Sequence, residues 1–218
     1  MILALAASGI AGLSALNANN PATSPAWTMI ARFIAVLFYA VFGLTSARSC
    51  RLRGSLIMAD KTWMVRLRSF LVYGILPGIA LGILNYQFFF WYRSSPSVPS
   101  RFRDIKSSYD SLILSLDTGF FEETIFRLFV LSCLVFSLGH LYARLQRRWP
   151  SLVSMLPTGM SLVLSSLLFA MVHDQYSFSA AFFGGLILGA IYLRSGIEGA
   201  IGAHVTANYL FFSASYLM

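Results

Sequence analysis

Acidic side chains are scarce in this chain: eight Asp and Glu stand against sixteen Lys and Arg, and charged residues make up only 11% of 218. A soluble domain carries roughly 25% charged residues, so no sizeable soluble module fits in this sequence. Cysteine is rarer still. Cys50 and Cys133 are the only two, too few for a disulfide framework or a cysteine-based zinc pattern. No H-E-x-x-H occurs, which excludes the helix that zinc proteases use for two ligands. Strand-like alternation, internal repeats and low-complexity tracts are also missing, so neither a β-barrel nor a solenoid is implied.

Apolar residues fill the space. They make up 57% of the chain, and the mean hydropathy is +0.72, which defines an integral membrane protein. About 20 apolar residues cross a bilayer, and such runs fall near 27–46, 69–92, 115–139, 152–173, 178–194 and 197–217. The expected fold is all-α, a polytopic transmembrane bundle of six helices, or seven if the short apolar stretch 1–16 also spans. Pro77 and Pro157 fall inside runs and are expected to kink them. Residues 101–117 read either as an interfacial amphipathic lead-in or as a solvated loop.

Positive charge sits in short loops. Arg48, Arg51, Arg53, Lys61, Arg66 and Arg68, then Arg144, Arg147 and Arg148, then Arg194 alternate with a side that has only Arg93, Arg101, Arg103 and Lys106. The positive-inside rule makes the first group cytoplasmic. A basic balance of this kind implies lipid headgroups as partners and no nucleic acid.

Against that background a few polar residues stand at membrane depth, where a charge costs about 2.5–3.5 kcal/mol even on a lenient insertion scale. Glu122 and Glu123 precede Arg127, His173 follows Phe169 by one turn, and His204 precedes Asn208 by one turn. On a helix Glu123 and Arg127 share a face while Glu122 is turned about 100° away. This spacing pairs Arg127 with Glu123 and leaves Glu122 for a cavity, where a carboxylate can serve as a general base. A purely structural Glu-Glu-Arg tie between helices is the plain alternative. His173 is readable as an interfacial tip. His204 and Asn208 present an imidazole and an amide side by side, either to hold an oxyanion or to bond across helices. Together they supply a carboxylate, two imidazoles and an amide from separate spans, a set that packing alone does not call for. The Gly185-x-x-x-Gly189 spacing is read as close helix packing.

These three motifs, in this order on hydrophobic helices, resemble the CPBP family of intramembrane proteases, which includes type II CAAX prenyl endopeptidases and bacteriocin-processing or immunity homologues. The resemblance covers residues 115–212 and divides the single membrane domain 1–218 into N-terminal transmembrane helices and loops, 1–110, and a CPBP-like core, 111–218. It implies a glutamate-type endopeptidase in which Glu122 and His173 activate water, His204 and Asn208 hold the oxyanion, and Glu123, Arg127 and Phe169 support them. The implied substrate is a membrane-associated or lipidated protein or peptide, and the compact chain suggests a prokaryotic plasma membrane. No cofactor is expected. A zinc site built from the two histidines and a glutamate is the secondary reading, disfavoured because Asn208 is a poor zinc ligand and a good oxyanion donor. Non-catalytic alternatives are an immunity-type binding protein and a small proton-coupled transporter.

Overall fold

The computed structural model describes residues 25–52, 62–92, 105, 107–147, 156–173 and 177–216. The stretch 1–16, expected as an extra span, lies outside these residues, and so does the turn at 174–176. Every regular element among the described residues is helical. Among the described residues, four helical stretches are long and apolar enough to cross a membrane: Ile30–Ser49, Trp63–Gln87, Ser108–Gln146 and Phe178–Ser195. Leu156–Met171 is apolar but shorter. The chain is therefore an all-α polytopic membrane bundle.

Helix α1 (Pro25–Ser49) turns Ile34, Phe38, Val41 and Phe42 outward and buries Val36. That outward apolar face is what a lipid-facing helix requires. Helices α2 (Trp63–Phe70) and α3 (Leu76–Tyr92) are joined without a break by a π-helical turn, Leu71–Ile75. The wider turn sits just before Pro77. A proline has no N–H to give the preceding turn, and a local π adjustment is one way a membrane helix accommodates the loss.

Helix α4 (Ser108–Glu123) starts at a built cap. The Ser107 hydroxyl accepts from the Asp110 backbone N–H at 3.1 Å, an N-cap bond, and donates to the Asp110 carboxylate at 2.8 Å. The stretch from 108 to 117 is thus helical and not a solvated loop, while residues 101–104 and 106 of the same expected segment lie outside the described residues. Its Ser111, Ser115 and Asp117 are buried. A second π-helical segment, Thr124–Leu131, continues into α5 (Ser132–Gln146), so one 39-residue span runs from Ser108 to Gln146.

Helices α6 (Leu156–Met171), α7 (Phe178–Ser195) and α8 (Ile197–Tyr216) complete the bundle. Pro157 stands in the first turn of α6, where a missing N–H costs least. The central element is α8, packed against α3, α4, α7 and the first π turn. Its Ala200, Ala203 and Ala207 meet Leu128, Leu131, Leu188 and Tyr192 in the main apolar core. Small side chains on α8 let four neighbours approach it closely. The Gly185 and Gly189 spacing does the same for α7 on α6. A Cβ at Gly185 would stand 3.1 Å from Ser166 Cβ and 3.3 Å from the Phe169 ring, so the bare backbone is what allows α7 to support that ring.

Candidate active site

The last turn of α4 and the second π segment hold the acidic and basic residues, and α8 runs antiparallel beside them. Gly119 sets the spacing: a Cβ there would come within 2.5 Å of Val205 Cγ2. With that approach, Glu122 and Glu123 on α4 face His204 on α8. His204 Nδ1 lies 2.8 Å from Glu123 Oε1, and its Nε2 lies 3.8 Å from Glu122 Oε2. One imidazole is thus held between two adjacent carboxylates.

The two glutamates differ in their surroundings. Glu123 is completely buried, whereas the Glu122 side chain is 25% exposed. Arg127, only 1% exposed, lies with Nε 3.3 Å from Glu123 Oε2. A buried carboxylate survives in a membrane only when paired, and Glu123 has a cation on one oxygen and an imidazole on the other. The Arg127 guanidinium also stacks 4.4 Å above the Phe169 ring. An aromatic face carries partial negative charge, so the ring is the second contact for a cation whose Nη atoms have no hydrogen-bond partner among the described residues.

Phe169 connects the two histidines. Its ring centre is 4.6 Å from that of His173 and 6.0 Å from that of His204, both edge-on. The Phe126 ring closes the other side at 5.1 Å. His173 Nδ1 lies 2.8 Å from the Phe169 carbonyl oxygen one turn earlier. If that nitrogen donates, Nε2 is left as an acceptor. His173 is partly exposed at the end of α6, and its polar contacts are local. In a strict up-and-down bundle His173 lies near one end of its helix, while His204 enters from the opposite side, seven residues or roughly 10 Å deep. The Phe169 ring touches both imidazoles across that separation.

Asn208, one turn beyond His204, donates through Nδ2 to the Thr118 hydroxyl at 2.9 Å. Thr118 in turn stands one helical turn before Glu122. Two rungs therefore cross from α4 to α8, Glu122 with His204 and Thr118 with Asn208, with Gly119 and Val205 between them. Thr118 is a contact that sequence reasoning missed. So is Asp117, buried and paired with Arg32 of α1. The Arg32 guanidinium lies 4.9 Å from the Phe121 ring centre. A signal existed for both charges, since each sits in an apolar run. The Ser165 hydroxyl donates to the Phe126 carbonyl at 2.8 Å, tying α6 to the π segment.

Among the described residues, no group of three or more His, Cys, Asp or Glu side chains is arranged to hold a metal ion. A cavity of about 300 Å³ lies further along the long span, lined by Cys50, Val135, Phe136, Gly139, His140 and Ala143. It contains none of the site residues. Both cysteines are free thiols.

Residues 105–210 match the family model described as type II CAAX prenyl endopeptidase, Rce1-like. No curated protein and no solved structure matches the chain.

Proposed function

Over residues 105–210 the chain belongs to the Rce1-like type II CAAX prenyl endopeptidase family, and we propose that Glu122, His173, His204 and Asn208 carry out its peptide-bond hydrolysis. The chain is an intramembrane endopeptidase. Its substrate is read as a membrane-associated protein or peptide cut near a terminus, with a lipidated one favoured by the family's description. The single observation that carries the assignment of roles is the engagement of His204 by both carboxylates, one fully buried and one partly open.

Glu122 is the better base because its carboxylate is partly exposed, whereas Glu123 is fully buried and paired with Arg127. It takes a proton from a water as the oxygen attacks the scissile carbonyl carbon. His173 presents Nε2 as a second acceptor for that water. The carbonyl π electrons move onto oxygen, and the resulting oxyanion receives hydrogen bonds from His204 Nε2 and the free N–H of Asn208. Preorganised donors of this kind are among the larger contributions to catalysis. For the His204 role the ring carries a proton on both nitrogens, one directed at Glu123 and one at the oxyanion. Collapse of the intermediate breaks the C–N bond, and the proton held by Glu122 goes to the leaving amine. Glu123, Arg127 and Phe169 hold the imidazole in place.

The same reading adds α6 and α8 to the four long spans, for six crossings, with the basic loops after α1 and α5 in the cytoplasm of a prokaryotic cell. The domain division into 1–110 and 111–218 follows it, with the core in the second part.

The test is Glu122→Gln in purified protein, assayed on an S-farnesylated fluorogenic peptide ending in cysteine, two aliphatic residues and one further residue. Cleavage should fall by about 10²–10⁴-fold, the range for losing a general base, with thermal stability unchanged. Full cleavage by Glu122→Gln would rule out the assigned base.

A further inference from the structure

We propose that Thr118 is a positioning residue for the reaction: it fixes the orientation of the Asn208 side-chain amide so that one N–H faces the oxyanion. The inference rests on the proposed role of Asn208 and extends it to a residue on the facing helix.

The argument is one of counting protons. A threonine hydroxyl has a single hydrogen to donate. Thr118 Oγ1 lies 2.9 Å from the Leu114 carbonyl oxygen and 3.3 Å from that of Ser115. Both are acceptors only, so the hydroxyl proton is committed to its own backbone. Toward Asn208, 2.9 Å away, Thr118 can then only accept. The atom of Asn208 that meets it must be Nδ2, since the amide oxygen would leave two acceptors facing each other. The two ends of a side-chain amide are nearly the same size, so packing alone would not distinguish them. Thr118 makes the distinction, and one Nδ2 hydrogen remains for a ligand oxygen.

The fold locates this device beside the chemistry. Thr118 and Glu122 are one turn apart on α4, and Asn208 and His204 are one turn apart on α8, so the orienting bond and the acid–base pair occupy neighbouring rungs of one helix contact. Valine at 118 keeps the shape of threonine and removes the acceptor. Serine keeps the acceptor.

The test uses the full chain in detergent and the farnesylated peptide probe. Thr118→Val should lower kcat about tenfold, as loss of one orienting hydrogen bond allows, with KM changed less than twofold and the melting temperature close to that of the parent. Thr118→Ser should restore kcat. Asn208→Ala should lose about 10²-fold, and adding Thr118→Val to it should cost nothing more, because the valine has no amide left to misorient. Additive losses, or full activity in Thr118→Val while Glu122→Gln is inactive, would overturn the inference and leave the assigned base standing. Full activity in Glu122→Gln would instead remove the mechanism itself. A substrate-independent readout is the pair of Asn208 side-chain N–H resonances in ¹⁵N-labelled protein. Thr118→Val should shift one of the two strongly, and an unchanged pair would also overturn the inference, even where the probe is not cleaved by the parent chain.

Discussion

The two histidines of the site are held by opposite means. His204, in mid-helix, is buried and fixed by a side chain 81 positions away on α4, that of Glu123. His173, at the end of α6, is partly exposed, and among the described residues its polar contact is the carbonyl four residues back. Long-range contacts in a dry environment make the first ring part of the packed bundle. The second depends on local helix geometry and on an aromatic neighbour. A membrane-embedded hydrolase needs both properties, one region rigid enough to hold charge at depth and another close enough to water to let it in.

The most severe way to break the rigid half is Arg127→Ala. It leaves Glu123 Oε2 without a partner at depth, and breaking a buried pair on one side costs about 3–5 kcal/mol. Folded yield and melting temperature in detergent should both fall sharply. His173→Ala removes nothing that the bundle leans on and should leave folded yield near the parent's.

The histidines themselves give the direct contrast. Both alanine variants should lose most cleavage of the farnesylated probe. His204→Ala should also lose about 1–3 kcal/mol of stability, the cost of leaving a buried acceptor on Glu123 unmatched, whereas His173→Ala, which removes a partly exposed ring and its edge contact with Phe169, should lose at most about 1 kcal/mol. Thermal melts beside turnover separate the two. Equal destabilisation would mean that the regions are not distinct.

Much of this site can be read from the sequence because charge is so costly in lipid. Glu122, Glu123, Arg127 and the histidines stand out in apolar runs, and helical spacing alone leads to the Glu123–Arg127 pair, found at 3.3 Å. The partnership of His204 with both carboxylates is not legible. It depends on how closely α4 approaches α8, which is decided by Gly119 lying on Val205, and nothing in either helix taken alone specifies that register. Thr118 was passed over for a similar reason: a threonine in a membrane helix is usually satisfied by its own backbone, and its second use needs Asn208 from across the bundle. The helical class and the long apolar spans were plain, but the start of α4 was not, because its first turns carry the serines and acids of a loop and are helical only once Ser107 caps them.

Phe169 joins the two regions, so its truncation should be felt in both by a smaller amount. Phe169→Leu keeps apolar volume but removes the ring that touches Arg127, His173 and His204. A loss of about 0.5–1.5 kcal/mol is expected, the scale of aromatic pairing, together with a measurable drop in kcat. An unchanged kcat would place the ring outside the working site.

The smallest expected effect is none. A chelator should leave cleavage unchanged, and elemental analysis should find no stoichiometric zinc. One tightly bound zinc per chain, required for turnover, would fuse the two histidine regions into a single centre and erase the contrast between them.

The ion pair between Arg32 and Asp117 bears on how small this enzyme can be made. Asp117 lies inside the span that the family model recognises, residues 105–210, but its counter-charge comes from a helix well before that span. A fragment trimmed to the recognised residues would have to bring an uncompensated carboxylate into hydrocarbon, about one and a half helical turns from Glu122. The unit of recognition in sequence is therefore shorter than the unit of assembly in the bilayer. Any transplant, truncation or fusion of this core has to bring α1 along or replace Asp117 by an uncharged residue.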